Sequence, residues 1–173
     1  MMEVSDVVRT KRAIRRFKDQ PLPEDAVEAI LNAARRSPTS GNSQYLTYTA
    51  IQDRDLQARL AEIRQGTGHL HDAPFVVVIV AQTEKWGTSI INFDTGQAAA
   101  YMMLQAWSLG IGSNVAWFGS ASTAGEVLNL PPGAICEWAI SFGSPEDGTA
   151  TSAPMKPGGR KPLEDVVRWG RWE

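Results

Sequence analysis

From Phe75 to Val80 the chain reads Phe-Val-Val-Val-Ile-Val, an unbroken apolar run directly after Pro74. A strand with one wet face alternates apolar and polar side chains. One that does not alternate is covered on both sides. The run therefore predicts a central strand buried on both faces. The wider stretch Ala73 to Ala81 is far shorter than the roughly 20 residues of a membrane-spanning helix, and no membrane role is expected.

The segments around it alternate between two periods. Val4, Val7 and Val8 share one face of a first short helix that starts near Ser5 or Asp6. A second helix follows Pro23, with Glu24 and Asp25 at its positive end and an i, i+3, i+4, i+7 stripe of Val27, Ile30, Leu31 and Ala34. It should stop near Ser37-Pro38, because a residue before proline avoids the helical region. Tyr45 to Ile51 has the β-branched and aromatic content of a strand. Leu56, Leu60 and Ile63 mark a third helix, capped by Asp53 and ending near Gly66.

A long helix is expected from about Ile90 to Leu109, stopped by Gly110. The small residues Gly96 to Ala100 in its middle allow another helix to approach closely. Asn114 to Phe118 reads as a strand end or loop, and Thr123 with Glu126 resembles a capping box for a short helix ending before Pro131. Ile135 to Phe142 reads as a further strand, Glu146 to Gly159 as an exposed loop, and Pro162 to Trp169 as a short helix or arm. Helices mixed with a few strands indicate an α+β fold or mixed α/β sandwich. The 173 residues fit one domain, 1–173.

Several function classes drop out. The net charge of -2 gives no bulk attraction for nucleic acid. Cys136 is the only cysteine, so neither an internal disulfide nor a multi-cysteine metal site can form. With charges near the N-terminus and no apolar leader there, the expected location is the cytoplasm. Gly110-Ile111-Gly112 follows a helix and lacks the third glycine of a dinucleotide fingerprint. His69-Leu70-His71-Asp72 has metal-ligand types without a fourth strong ligand, and Cys136, within an apolar strand pattern, reads as packing. There is no Gly-x-Ser-x-Gly elbow and no P-loop.

What remains is polar and basic. Lys11, Arg12, Arg15 and Arg16 lie just after the first helix; the plain reading is a solvated run, the alternative an anion site using forked guanidinium donors. Lys156, Arg160 and Lys161 form a second basic element. Ser37 to Gln44 offers a dense set of small donors and acceptors, or an ordinary helix-to-strand connection.

In order, these segments resemble the nitroreductase family over nearly the whole chain. Lys11-Arg12-Ala13-Ile14-Arg15-Arg16-Phe17 is similar to the family's Arg-Arg-Ser-x-Arg-x-Phe opening. Ser37-Pro38-Thr39-Ser40-Gly41-Asn42-Ser43-Gln44 resembles its Ala-Pro-Ser-x-x-Asn-x-Gln loop. Asp72-Ala73-Pro74, Leu109-Gly110-Ile111-Gly112 and Arg160 to Val167 resemble the central strand entry, the end of the long helix and the closing segment.

The resemblance implies a nitroreductase-like α/β sandwich with a mostly antiparallel sheet, in an intertwined homodimer that binds FMN at the subunit interface. It implies that Lys11 and Arg12 serve the phosphate, with Ala13 beside them, and that Arg15 faces the N1–C2=O end of the ring. It brings Pro38, Thr39, Ser40, Asn42 and Gln44 to the flavin from the other subunit. Ala116, Trp117 and Phe118 lie near the ring, with Trp117 and Phe118 as a wall and a backbone N–H facing N5. Arg160 and Lys161 close over the phosphate. No side chain is implied as a catalytic group, since the flavin carries the chemistry. NADH or NADPH would be the donor and a nitroaromatic, quinone or enone the acceptor, in ping-pong fashion. Flavin binding without turnover, reductive dehalogenation and flavin modification stay open beside it.

Departures from the pattern are Lys11 for arginine, which loses the bidentate fork, Ala13 for serine, and Tyr45-Leu46 for Pro-Trp. The stretch from Gln82 to Asn92 is short, implying an abbreviated lid.

Overall fold

In the structure, a computed structural model, residues 2–119, 121–148 and 159–172 are described, without the side chains of residues 121 and 122. The predicted central strand is present as β2 (Phe75–Ala81), buried at every position. Its neighbours are β1 (Leu46–Ile51) on one side and β4 (Ile135–Gly143) on the other. Outside β4 lies β3 (Gly112–Trp117), giving the order β1-β2-β4-β3 with all pairs antiparallel.

The period of two divides the sheet between two cores. Phe75, Val77, Ile79 and Ala81 face a layer made by α2 (Glu24–Arg35) and α4 (Thr88–Ser108). Val76, Val78 and Val80 face the opposite layer, built from α1 (Val4–Thr10), α3 (Arg54–Ala61) and α5 (Ala121–Val127). Between Ile79 and Ala81 the register with β4 passes from Trp138 to Ile135, so β4 holds an extra residue. This bulge lets both Cys136 and Ala139 face the second core although three residues apart.

Most element expectations hold. Asp53 accepts a hydrogen bond from the Leu56 backbone N–H at 2.8 Å and caps α3. Gly110, at φ +77°, follows the end of α4 in the left-handed region. One reading needs correcting: α5 begins at Ala121, so Thr123 lies inside it and the expected capping box does not form its start. The closing segment contains one turn of helix, α6 (Leu163–Val166). The small residues of α4 serve the chain's own core first: Ala98, Ala99 and Ala106 pack with Ala26, Ile30 and Ala34 of α2. Gly96 faces outward. Among the described residues no helix is long and apolar enough to cross a membrane.

Candidate functional site along the β3 edge

The basic segment after α1 is laid against the free edge of β3. Ala13 bridges Ser113 in parallel, and the Ile14 N–H donates to the Ser113 carbonyl at 3.0 Å. Two glycines make this approach possible. A Cβ on Gly112 would lie 2.7 Å from Ile14 Cβ, and one on Gly143 would lie 2.7 Å from Pro74 and 2.8 Å from Phe17. Gly112 and Gly143 face each other in the β3–β4 register. The corner of the sheet is thus cut back to seat Ile14 and Phe17, both buried. The side chains between them stay outside.

Ile14 and Phe17 both belong to the core on the α1 side, Lys11 reaches the α4 side, and Arg15 stays exposed within electrostatic reach of both Lys11 and His69. Lys11 Nζ donates to Met103 Sδ of α4 at 3.5 Å. Burial, and then the charge of Arg15, lower the Lys11 pKa. Neither Lys11 nor Arg15 has a carboxylate partner among the described residues. Arg12 is engaged differently: its Nη1 donates to the carbonyls of Arg9, Thr10 and Lys11, capping the negative end of α1.

Further along, β3 offers backbone donors. The Phe118 N–H donates inward to Glu137 O at 2.9 Å, so by the antiparallel alternation the N–H groups of Val115 and Trp117 point away from the sheet. Ala116 and Phe118 are buried on the α1 side, whereas Trp117 is 42% exposed on the α4 side. Trp117 and Phe118 therefore cannot form one wall together. Six residues separate the level of Lys11 from Trp117 along the strand direction, roughly 20 Å at strand rise.

The polar loop is fixed by a residue the motifs do not single out. Asp94 of α4 is buried. Its carboxylate accepts from the Ser40 N–H (2.8 Å), Ser40 Oγ (3.2 Å), Tyr45 Oη (2.7 Å) and Gln97 Nε2 (3.4 Å). Burial, then the Asp94 hydrogen bond and charge, push the Tyr45 hydroxyl pKa up. Tyr45 thus anchors the loop to α4. Thr39 Oγ1 accepts from the Gln44 N–H at 2.9 Å. Gly41, Asn42 and Gln44 all have positive φ, and the Asn42 and Gln44 side chains are exposed together with Pro38. Non-glycine residues held this way indicate a backbone fixed by its surroundings. Trp86, from the short stretch after β2, lies over Gly41, where a Cβ would sit 3.5 Å from its ring, and donates through Nε1 to Ser43 Oγ at 2.9 Å. Asp94 occupies a core-stripe position with Ile91 and Ala98, where a charged residue stands out, but nothing in the sequence pairs it with Ser40 and Tyr45.

A second unpredicted network backs β3 from the other layer. His69 is buried between Ser141 Oγ (2.8 Å from Nδ1) and Asn114 Nδ2 (2.9 Å from Nε2). An amide donating to Nε2 assigns the proton to Nδ1, in a neutral ring. Burial lowers the His69 pKa; the Val115 backbone opposes this and Arg15 adds to it. Cys136 is buried and its thiol is pushed up to about 11 by burial and then by Glu137, so it stays protonated at neutral pH.

Arg160 and Lys161 stand exposed before α6 and make no hydrogen bond or ion pair among the described residues. Nothing among the described residues joins them to Lys11. Lys156 lies outside the described residues.

The site suits a flavin mononucleotide on its own donors: cations without an ion pair among the described residues at one end, outward N–H groups toward the other, and an edge long enough for both. Comparison with known proteins agrees. A model of the Nitroreductase family matches residues 8–68 and 64–144. A protein of Archaeoglobus fulgidus provisionally named NADH dehydrogenase/NAD(P)H nitroreductase is 27% identical over 155 residues, 85% of this chain and 88% of that one. The FMN reductase [NAD(P)H] of Bacillus subtilis is 24% identical over 138 residues, 78% of this chain and 55% of its own length. The solved structure of an FMN-dependent nitroreductase from Clostridium difficile superimposes with a TM-score of 0.82 at 23% identity, covering 97% of this chain and 99% of that one.

Proposed function

Because the chain belongs to the nitroreductase family, we propose that it is an FMN-dependent NAD(P)H oxidoreductase that passes electrons to a small electron-poor acceptor. The observation that carries this reading is the pair of cations, Lys11 and Arg15, which make no ion pair among the described residues, on the edge of β3 beside the outward N–H groups of Val115 and Trp117. Bound FMN supplies two-electron transfer, which no side chain here can supply.

The chain's residues bind and tune. Lys11, half-buried beside Met103, meets the phosphate and regains in that contact the charge stabilisation it lacks alone. Arg15 holds positive charge at the ring edge where electron density rises on reduction, which favours electron uptake. The Trp117 or Val115 N–H donates to the ring without reorganisation, because the β4 ladder fixes it. Asn42 and Gln44, projected by the loop tied to Asp94, contact a flavin shared with a second copy. Donor and acceptor visit one flavin face in turn, giving ping-pong kinetics. Nitroaromatics, quinones and enones are the acceptor classes. The whole of 1–173 acts as one domain, and the lone buried thiol suits a reducing compartment such as the cytoplasm.

A visible spectrum of the purified protein, before and after anaerobic NADH or NADPH, tests the proposal. Bands near about 370 and 450 nm that bleach with the donor support it. A protein that is colourless and takes up no added FMN sinks it.

A further inference from the structure

One cation near the β3 edge has no part in the proposed flavin contacts. Arg64 follows α3, and its guanidinium carbon sits 4.0 Å from the centroid of the Trp117 ring. Trp117 in turn stacks on Trp138, with centroids 6.0 Å apart and planes 26° from parallel. Trp138 is fixed by donating Nε1–H to Asn92 Oδ1 of α4 at 3.1 Å. Gly119, at φ +83°, completes the seat: a Cβ there would lie 2.7 Å from Arg64 Nη1. Residues from both helical layers and two strands thus hold one arginine head in place. Among the described residues, that head makes no hydrogen bond or ion pair.

Laid on an indole, a guanidinium is desolvated on one face while its in-plane N–H groups stay available. Such a fork matches an oxyanion with two oxygens, and its pre-organisation lowers the entropy lost on binding. The position is at the Trp117 end of β3, six residues along the strand from the level of Lys11. A phosphate held at Lys11 is therefore not its partner.

We infer that Arg64 is a specificity residue that recognises an oxyanion on a substrate of the flavin site. Two substrates can bring that chemistry: a carboxylate on the acceptor, or the 2′-phosphate that distinguishes NADPH from NADH. The inference rests on the proposed function for the identity of these substrates, but not for the anion preference itself.

Calorimetric titration of the protein as purified separates the sources and does not depend on turnover. Benzoate is compared with benzamide, and adenosine 2′-phosphate with adenosine. In one of the two pairs the charged member should bind about tenfold tighter or more. Arg64→Gln should abolish that preference and Arg64→Lys keep part of it. The FMN dissociation constant and thermal midpoint should not move. A benzoate preference assigns the acceptor; an adenosine 2′-phosphate preference assigns the donor. No charge preference in either pair overturns the inference, and so does a preference that survives in Arg64→Gln. If the anion preference holds but the donor fails to bleach the protein, the proposed function falls and Arg64 stands as an anion site.

Discussion

Of the residues that shape the site, Asp94 does the most while carrying no motif. Its carboxylate joins α4 to the loop through Ser40 and Tyr45, so truncation leaves the Ser40 N–H and the Tyr45 hydroxyl without a partner in a buried place. Asp94→Ala should lower stability by about 2–4 kcal/mol in urea unfolding, and Asp94→Asn should restore part of it. Equal losses in the two variants would mean that the hydrogen bonds are not what matters. His69 gives a pH signature. Its folded pKa lies below the ordinary 6.5, chiefly through burial. The unfolded chain therefore gains a proton that the folded one resists. Stability is full above pH 6.5 and is lost as pH falls below it, by at most about 1.4 kcal/mol per pH unit from this group. Urea midpoints between pH 5 and 8 should fall less steeply in His69→Gln than in the parent. Identical slopes would remove His69 as a source. The sequence revealed the cations because clustered like charges stand out. It hid Asp94 and His69 because their meaning lies in partners 45 to 72 positions away.

At the scale of elements, periodicity was enough for β1, β2, β4 and the longer helices, left β3 open between strand end and loop, and said nothing of their relations. β2 was legible because six apolar residues in succession have one structural meaning, and α2 because its stripe has a single period. The seating of the segment 11–17 was not. It depends on Gly112 and Gly143, far apart in sequence and opposed only once β3 and β4 are paired. The β4 bulge likewise leaves no mark in an apolar run. The seating can be tested by filling the corner. In Gly112→Ala the new Cβ meets three carbons of Ile14 at 2.7 to 2.8 Å. Overpacking of this kind costs about 1–3 kcal/mol. The relief is to lift the segment, and Lys11 and Arg15 move with it. FMN affinity, followed by quenching of flavin fluorescence, should fall at least tenfold while far-UV circular dichroism stays unchanged. A variant that loses stability but keeps full affinity would place the flavin contacts elsewhere.

The whole molecule exposes more apolar surface than one chain can use. Phe93 on α4 is 68% exposed, and Val4 and Val8 of α1 stand open beside Met2. Trp169 and Trp172, at 91% and 87% exposure, follow α6, whose Leu163 and Val166 are also uncovered. Exposed apolar groups on an outward helix face and a terminal segment are what a second copy of the chain would cover if it packed there. A second copy covering them would also explain why the Asn42 and Gln44 side chains project outward, and why Arg160 and Lys161 make no ion pair among the described residues. Ala99 is a poor place to test this, since it is buried against α2 and a charge there would damage the monomer. Phe93 is a clean one, because its side chain is mostly free of its own chain. Phe93→Asp should shift the protein toward monomer in sedimentation equilibrium, with thermal unfolding of the monomer still cooperative. If the flavin site is built by two chains, the same variant should release FMN in proportion to the monomer formed. A monomer that keeps its flavin would confine the site to one β3 edge and leave Asn42 and Gln44 without a role. A dimer that persists would move the interface off α4.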